Sequence, residues 1–157
     1  MEGVAYLIRH GKAGDRGRWE RPDELRPLTK AGYRQADVLA ERLRDEAIGR
    51  VISSPAVRCA DTVRPLAERL GLKLEQDLDL MEGMGPDHAA RLAVQATPGS
   101  GLVLCTHGDV IWELLTDLEA AGVPLTAGIP AKKGSVWVLE VEAGAVVRGT
   151  YQPPPDV

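Results

Sequence analysis

The order of apolar and amphipathic segments in this chain predicts an α/β fold, specifically a three-layer α/β/α sandwich with a mostly parallel central sheet. Three short apolar segments, at 4–8, 51–53 and 102–105, have the length and composition of buried strands. Apolar residues at helical spacing follow each of them along the chain. Strands that alternate with helices favour parallel pairing, with helices on both faces of the sheet.

Composition predicts one domain and excludes several classes of function. A chain of 157 residues buries about 70% of its unfolded surface. The net charge of -4 argues against a dedicated nucleic-acid binder, which would carry a basic surplus. No segment approaches the ~20 apolar residues of a membrane span, and no secretory leader is visible. We therefore expect a cytoplasmic protein without a membrane or nucleic-acid partner.

The first strand is expected at 4–8, and it runs directly into Arg9 and His10. Residues 12–26 are polar and carry both signs of charge, which predicts a long surface loop. Thr29 is the expected N-cap of a first helix that continues to about residue 44.

The second strand, at 51–53, is followed by a strong helix-start pattern. Ser54 is the expected N-cap and Pro55 the first helical residue. The helix should reach Leu70, with Gly71 ending it.

The second half of the chain is expected to complete the sheet and its helices. The expected elements are a strand at 73–78, a helix at 86–96, the third apolar strand with a helix to residue 121, and a hairpin of strands at 135–141 and 145–151. Asp109 is the expected cap of the helix after the third strand. The domain then spans 1–152, and the proline-rich residues 153–157 form a disordered or extended tail.

Polar side chains stand where each apolar strand ends. Arg9 and His10 follow the first strand, Arg58 lies in the helix after the second, and His107 follows the third. The carboxyl ends of parallel strands lie at one edge of the sheet, where ligands bind. Guanidinium groups bind phosphate oxygens bidentately, and helix amino ends add backbone donors. The sequence therefore predicts a site for a phosphoryl group.

Other chemistries fit this set of residues less well. Two histidines without a fixed partner spacing do not make a zinc site, and the arginines would repel a cation. No Gly-x-Ser-x-Gly sequence is present, which argues against a serine hydrolase. Covalent catalysis by a histidine that attacks phosphorus fits better, and it requires neither a metal nor another cofactor.

An ordered set of motifs resembles the histidine phosphatase superfamily, whose fold is phosphoglycerate-mutase-like. The set comprises Arg9-His10-Gly11, Pro27-Leu28-Thr29 with Gly32, Gln35 and Ala36, Ser54-Pro55 with Arg58 and Thr62, and Thr106-His107-Gly108. The short chain resembles the small branch that includes bacterial phosphohistidine phosphatases. A closer similarity is to the phosphatase domain fused behind a Nudix hydrolase in some actinobacterial proteins. No Nudix domain precedes it here, so a free-standing version is expected.

The resemblance implies roles for the residues at the sheet edge. It implies that His10 attacks phosphorus to give a phosphohistidine, which water then hydrolyses. It implies that Arg9, Arg58 and His107 hold the equatorial oxygens, where charge must be stabilised during transfer. The attacking nitrogen must be neutral, which requires the other ring nitrogen to be fixed by a backbone acceptor near Gly11.

Glu82 is the expected proton donor, because it stands where the family usually places its acidic residue. Its neighbours Met81 and Met84 are expected to shield it from water, and Asp87 is the alternative proton donor. Further substrate contacts are expected from Gly11, Lys12, Arg16, Trp19, Gly108, Lys133 and Ser135. Among these, the indole of Trp19 is of the type that stacks on a base.

The implied activity is that of a phosphatase, and its partner is a phosphorylated substrate. Three substrate classes remain open: phosphohistidine on a protein, a small phosphate ester, and a nucleoside diphosphate or related nucleotide. A catalytically weak module that binds phosphate or a phosphoprotein is the alternative outside the enzymes.

Overall fold

A computed structural model describes residues 2–157, which form one six-stranded sheet with helices on both faces. Met1, the first residue of the predicted domain, lies outside this range. The strands are β1 (Gly3–Arg9), β2 (Ile48–Ser53), β3 (Leu74–Gln76), β4 (Gly101–Thr106), β5 (Val136–Glu142) and β6 (Ala145–Gln152). The helices are α1 (Lys30–Leu43), α2 (Val57–Leu70), α3 (Asp87–Ala93) and α4 (Gly108–Ala120). Within the described range, no helix combines the length and apolar character needed to cross a membrane.

The strand order is β3-β2-β4-β1-β5-β6. Strands β1 to β4 run parallel to one another, whereas β5 is antiparallel to β1 and β6 is antiparallel to β5. The predicted mostly parallel sheet with a closing hairpin is therefore confirmed. Arg9 is paired with Thr106 across the two central strands. His10 directly follows Arg9 and His107 directly follows Thr106, so the two histidines lie side by side just beyond the end of the sheet.

Two hydrophobic cores hold the three layers together. Leu7 and Ile8 are adjacent on β1 and point to opposite faces of the sheet, because strand side chains alternate. Ile8 packs in the core beneath α1 and α2, which includes Leu39 and Leu66. Leu7 packs in the core beneath α3 and α4, which includes Ile111. All five side chains are at most 2% exposed, and burial of each stabilises the fold by about 1.5–3 kcal/mol.

Two helix boundaries follow the expected local chemistry. The Thr29 hydroxyl accepts a hydrogen bond from the backbone N–H of Gly32 at 3.1 Å, so Thr29 caps α1 as predicted. Gly71 ends α2 with a φ of 68°, a left-handed conformation that glycine adopts without steric cost.

Two other predicted caps are wrong. Ser54 does not cap α2, which begins at Val57; its hydroxyl instead accepts from the N–H of Ala56 at 3.2 Å within the preceding turn. Asp109 lies inside the first turn of α4, and its carboxylate accepts from the N–H of Gly83 at 2.8 Å. The Ser54 hydroxyl therefore stabilises the turn before α2, whereas the Asp109 carboxylate joins α4 to a separate segment of the chain.

Both segments expected to lack regular structure lie against the domain. The 12–26 loop contains short 3-10 turns at Arg16–Arg18 and Asp23–Leu25. Residues 153–157 have no regular secondary structure, and Pro155 in this tail is buried.

Candidate active site

His10 lies immediately beyond the carboxyl end of β1 and lines a pocket of about 580 Å³. Its Nδ1 is 2.8 Å from the carbonyl oxygen of Gly11. A carbonyl only accepts, so the neutral ring carries its proton on Nδ1 and keeps a lone pair on Nε2. In residues 2–157, no side chain or backbone group forms a hydrogen bond with this Nε2. The ring can therefore present Nε2 to a ligand.

The surroundings of His10 keep its imidazole neutral. Burial lowers the pKa of His10 to about 3, against the opposing effect of the hydrogen bond to Gly11. Electrostatic interactions with Arg58, His107 and Arg9 lower this pKa further. A neutral imidazole is the form that can attack phosphorus.

Hydrogen bonds with two other segments fix the backbone around His10. The N–H of Gly11 donates to the Thr62 hydroxyl at 2.9 Å, and that hydroxyl donates to the backbone oxygen of Arg58 at 2.6 Å. The N–H of Gly134 lies 2.9 Å from the backbone oxygen of His10 and 3.1 Å from that of Arg9. Helix α2 and the turn before β5 therefore both position the candidate nucleophile.

His107 stands at the amino end of α4, with its ring centroid 5.7 Å from that of His10. The Nη2 of Arg58 approaches its Nδ1 at 3.4 Å, and the Ser54 hydroxyl lies 2.9 Å from its Nε2. A guanidinium only donates, so Nδ1 of a neutral His107 accepts and Nε2 donates to Ser54. The buried thiol of Cys59 packs 3.5 Å from Nε2.

Arg58 is only 1% exposed and is held by Asp23 of the 12–26 loop. Its Nη1 donates to the Asp23 backbone oxygen and its Nη2 to the carboxylate, both at 2.9 Å. The same carboxylate lies 3.1 Å from Nε of Arg26 and 3.4 Å from Nε of Arg16. Burial raises the pKa of Asp23, but the Arg26 hydrogen bond and the charges of the three arginines lower it overall.

The guanidinium of Arg9 rests against the start of α4. Its Nη1 donates to the backbone oxygen of Ala131 at 2.7 Å, whereas its buried Nε has no hydrogen-bond partner in the described range. A Cβ atom at Gly108 would come within 2.8 Å of the Arg9 Cζ. Glycine at position 108 is therefore what allows Arg9 to lie beside the first N–H groups of α4.

Glu82 lines the same pocket, but its surroundings differ from the expected ones. Its side chain is 41% exposed and forms an ion pair with Nη2 of Arg16 at 2.9 Å. Met84 is 53% exposed, so the flanking methionines do not enclose the carboxylate. Asp87, the alternative proton donor, is exposed and outside the pocket, whereas Asp109 lines it.

Most of the expected substrate contacts lie at or beside the pocket. Arg16, Gly108 and Lys133 line it together with His10. Lys12 lines a neighbouring groove that Lys133 also borders.

The structure places two expected contacts elsewhere. The indole N–H of Trp19 donates to the backbone oxygen of Pro22 at 2.9 Å, and this tryptophan does not line the pocket. Ser135 is 1% exposed and contributes its backbone oxygen, which accepts from the N–H of Arg9 at 3.1 Å. The conformation of the 12–26 loop removes the Trp19 side chain from the site, and burial immediately before β5 removes that of Ser135.

Three residues at the site were missed from sequence. Arg26 is only 4% exposed and lines the pocket, and Asp23 links the arginines. Trp112 on α4 also lines it and is 55% exposed. Only Arg26 had a usable indication, because it directly precedes the Pro27-Leu28-Thr29 motif.

The arrangement suits transfer of a phosphoryl group to an imidazole nitrogen. Several cationic side chains lie close together here. The pKa of Lys133 is lowered, mainly because the side chain is partly buried and also because Arg9, Arg26 and other arginines are nearby. Guanidinium groups and the amino end of α4 stabilise the negative charge that develops on phosphoryl oxygens. Among the described residues, the one group of three side chains suited to a metal ion is outside the pocket; it comprises Asp77, Asp79 and His88.

Comparison with known proteins identifies relatives of the same kind. Residues 5–90 match the model of the histidine phosphatase superfamily (branch 1). The chain is 38% identical over 160 residues to the 8-oxo-(d)GTP phosphatase of Mycolicibacterium smegmatis. That alignment covers 98% of this chain but 49% of the relative, so the chain spans about half the length of that protein.

Solved structures share the fold at lower identity. The protein histidine phosphatase SixA, complexed with tungstate, superposes with a TM-score of 0.73 at 20% identity and covers 96% of this chain and 95% of that one. Bacillus stearothermophilus YhfR superposes with a TM-score of 0.72 at 19% identity, and the superposition covers 91% of this chain and 93% of that one. The family model matches more than half of the chain and includes His10 and Arg58. The protein is therefore a member of the histidine phosphatase superfamily, as its motifs predicted.

Proposed function

We propose that this protein is a phosphatase that acts through a covalent phosphohistidine at His10. The observation that carries the proposal is the hydrogen bond between Nδ1 and the Gly11 carbonyl oxygen, which leaves the Nε2 lone pair in the pocket. The lowered pKa of His10 supports it, because the nucleophile is then neutral over the physiological range.

The reaction has two displacements at phosphorus. In the first, Nε2 of His10 forms a bond to phosphorus while the bond to the leaving-group oxygen breaks, and Glu82 donates a proton to that oxygen. In the second, water attacks phosphorus, the phosphorus–nitrogen bond breaks, and Glu82 takes a proton from the water. Arg9 and Arg58 bind the equatorial phosphoryl oxygens in both steps. Their positive charges stabilise the negative charge on these oxygens in each transition state.

The test is phosphate release from an aryl phosphate by the wild type and by His10→Ala. We expect the variant to lose at least about a thousandfold in kcat, as covalent catalysis predicts when its nucleophile is removed. His88→Ala is the matched control, because His88 is half-buried on α3 and outside the pocket. Equal rates for wild type and His10→Ala would contradict the proposal.

Trapping the intermediate provides an independent readout. A substrate labelled in its phosphoryl group should transfer acid-labile label to the wild type and to His88→Ala, but not to His10→Ala. Label that persists in His10→Ala would show that another group is phosphorylated.

For the substrate, we propose a nucleotide. The relative that aligns with 98% of this chain is named as an 8-oxo-(d)GTP phosphatase. The pocket also contains Arg16, Arg26 and Lys133, beyond the groups needed by one phosphoryl group. These cations are suited to a second phosphate.

The other substrate classes remain as alternatives to this proposal. The test measures kcat/KM for three substrates: a protein that carries phosphohistidine, a small phosphate ester and a nucleoside diphosphate. Nucleoside diphosphates should have the highest kcat/KM, and a higher value for a phosphohistidine protein would contradict the choice of nucleotide.

A further inference from the structure

Trp112 is an exposed aromatic side chain at the mouth of the candidate active site. The three tryptophans differ in their surroundings: Trp137 is 1% exposed and Trp19 is bonded to its own loop, whereas Trp112 is 55% exposed. No side-chain hydrogen bond involves its indole N–H in the part of the chain that the structure describes. The indole therefore has an unused apolar face and an unused donor.

The position of Trp112 on α4 links it to the phosphoryl-binding groups. It lies three and four residues after Asp109 and Gly108, which is the spacing of one helix face, and all three line the pocket with His10. Helix geometry places it ~6 Å along the axis from Gly108. A second, smaller depression on the far side also includes Trp112, so the indole forms the rim between the two.

A different segment of the chain contributes further apolar lining to the pocket. Ile129 and Ala131 line the pocket together with Trp112. The backbone of Ile129 has a φ of 45°, which is unfavourable for a β-branched residue and is found where surrounding structure enforces it. The lining thus combines apolar groups with the cations Arg16 and Lys133.

We propose that Trp112 is the stacking platform for the base of a nucleoside phosphate substrate. This inference rests on the proposed phosphatase function and specifies how that site chooses its substrate. A flat aromatic face stacks on any base, because every base has a π-face, whereas the cationic side chains of the pocket bind the phosphates. A pocket of about 580 Å³ is within the range of small-molecule sites, which favours a nucleotide over a protein surface.

The kinetic test compares Trp112→Ala and Trp112→Phe with the wild type on a nucleoside diphosphate and on an alkyl phosphate that has no ring. Trp112→Ala should lower kcat/KM about tenfold more for the nucleotide than for the alkyl phosphate, and phenylalanine should restore most of this difference. Leu78→Ala is the control, because Leu78 is 73% exposed and outside the pocket. Equal losses on both substrates would overturn the proposal.

Binding gives a readout that does not depend on turnover. A nucleoside diphosphate should quench indole fluorescence in His10→Ala, and the quenching should disappear in His10→Ala with Trp112→Phe but persist with Trp19→Phe. Quenching that requires Trp19 instead would overturn the assignment. So would a Trp112→Ala defect confined to a phosphohistidine-bearing protein. Failure of the proposed function is distinct: wild type and His10→Ala would then release phosphate at equal rates.

Discussion

Arg58 and Asp23 form a two-point contact between α2 and the 12–26 loop. The two terminal nitrogens of Arg58 donate to the backbone oxygen and to the carboxylate of Asp23, each at 2.9 Å. Arg58 is a proposed ligand of the phosphoryl group, so an internal anion already shares this guanidinium. The loop therefore influences both the position and the effective charge of the proposed phosphoryl site.

Asp23→Asn should strengthen oxyanion binding and weaken the fold. The substitution removes one negative charge close to Arg58, which is worth ~1 kcal/mol, so the Ki of vanadate should fall about fivefold. The free energy of unfolding should fall by no more than about 1 kcal/mol, because the Asp23 side chain is 38% exposed and screened by solvent. Asp45→Asn, at a 90% exposed side chain, is the control. A higher Ki would show that Asp23 mainly orients Arg58.

His10 should remain neutral from pH 8 down to pH 5. Its pKa is lowered from 6.5 to about 3 in the fold. Unfolded His10 binds a proton below pH 6.5, whereas folded His10 does not, so its contribution to stability is complete above pH 6.5. That contribution is lost as the pH falls toward 3, by about 1.4 kcal/mol per unit. NMR titration of the imidazole, assigned with His10→Gln, measures this pKa. A midpoint near 6.5 would contradict the burial argument.

Gly108→Ala should reduce catalysis with little loss of stability. A Cβ atom at this position would come within 2.8 Å of the Arg9 Cζ, so the guanidinium must move. Displacing one donor from a phosphoryl site should lower kcat/KM for an aryl phosphate by about a hundredfold. Gly17→Ala is the matched control, since only a carboxylate oxygen of Asp15, at 3.4 Å, would be near its Cβ. Unchanged kinetics would mean that Arg9 does not bind the transferring group.

Glu82→Gln should affect poor leaving groups more than good ones. An alkoxide needs a proton as it leaves and an aryl oxide does not, so kcat should fall about a hundredfold for an alkyl phosphate and little for an aryl phosphate. Asp109→Asn provides the comparison, because Asp109 lines the same pocket. The same selective loss in Asp109→Asn but not in Glu82→Gln would assign the proton donor to Asp109.

The parts of this structure that depend on local chemistry were predictable from sequence. The strand before His10 and the strand before His107 are strongly apolar, and the parallel direction of these strands follows from the alternation of strands and helices. These features place both histidines at one edge of the sheet, whereas the direct pairing of β1 with β4 is seen only in the structure. The caps at Thr29 and Gly71 were also local, since each depends on one residue type at one helix end.

The parts that depend on long-range contacts were not predictable. Ser54 and Asp109 have side chains typical of helix caps, but each bonds instead to a group that is distant in sequence. The placement of Trp19 depends on the 12–26 loop, whose conformation is set by the ion pairs of Asp23 with arginines. Nothing in the sequence marks Trp112 as a residue of the site, and only the fold shows that it lines the pocket.

The N–H of Gly134 donates hydrogen bonds to the backbone oxygens of Arg9 and His10, so the turn before β5 supports the backbone of the proposed nucleophile. The family match ends at residue 90, before His107 and before the turn that contains Gly134. A truncation at that boundary would remove both central neighbours of β1, namely β4 and β5. The candidate catalytic unit is therefore discontinuous along the chain, because the backbone contact from Gly134 comes more than 120 residues after the proposed nucleophile, His10.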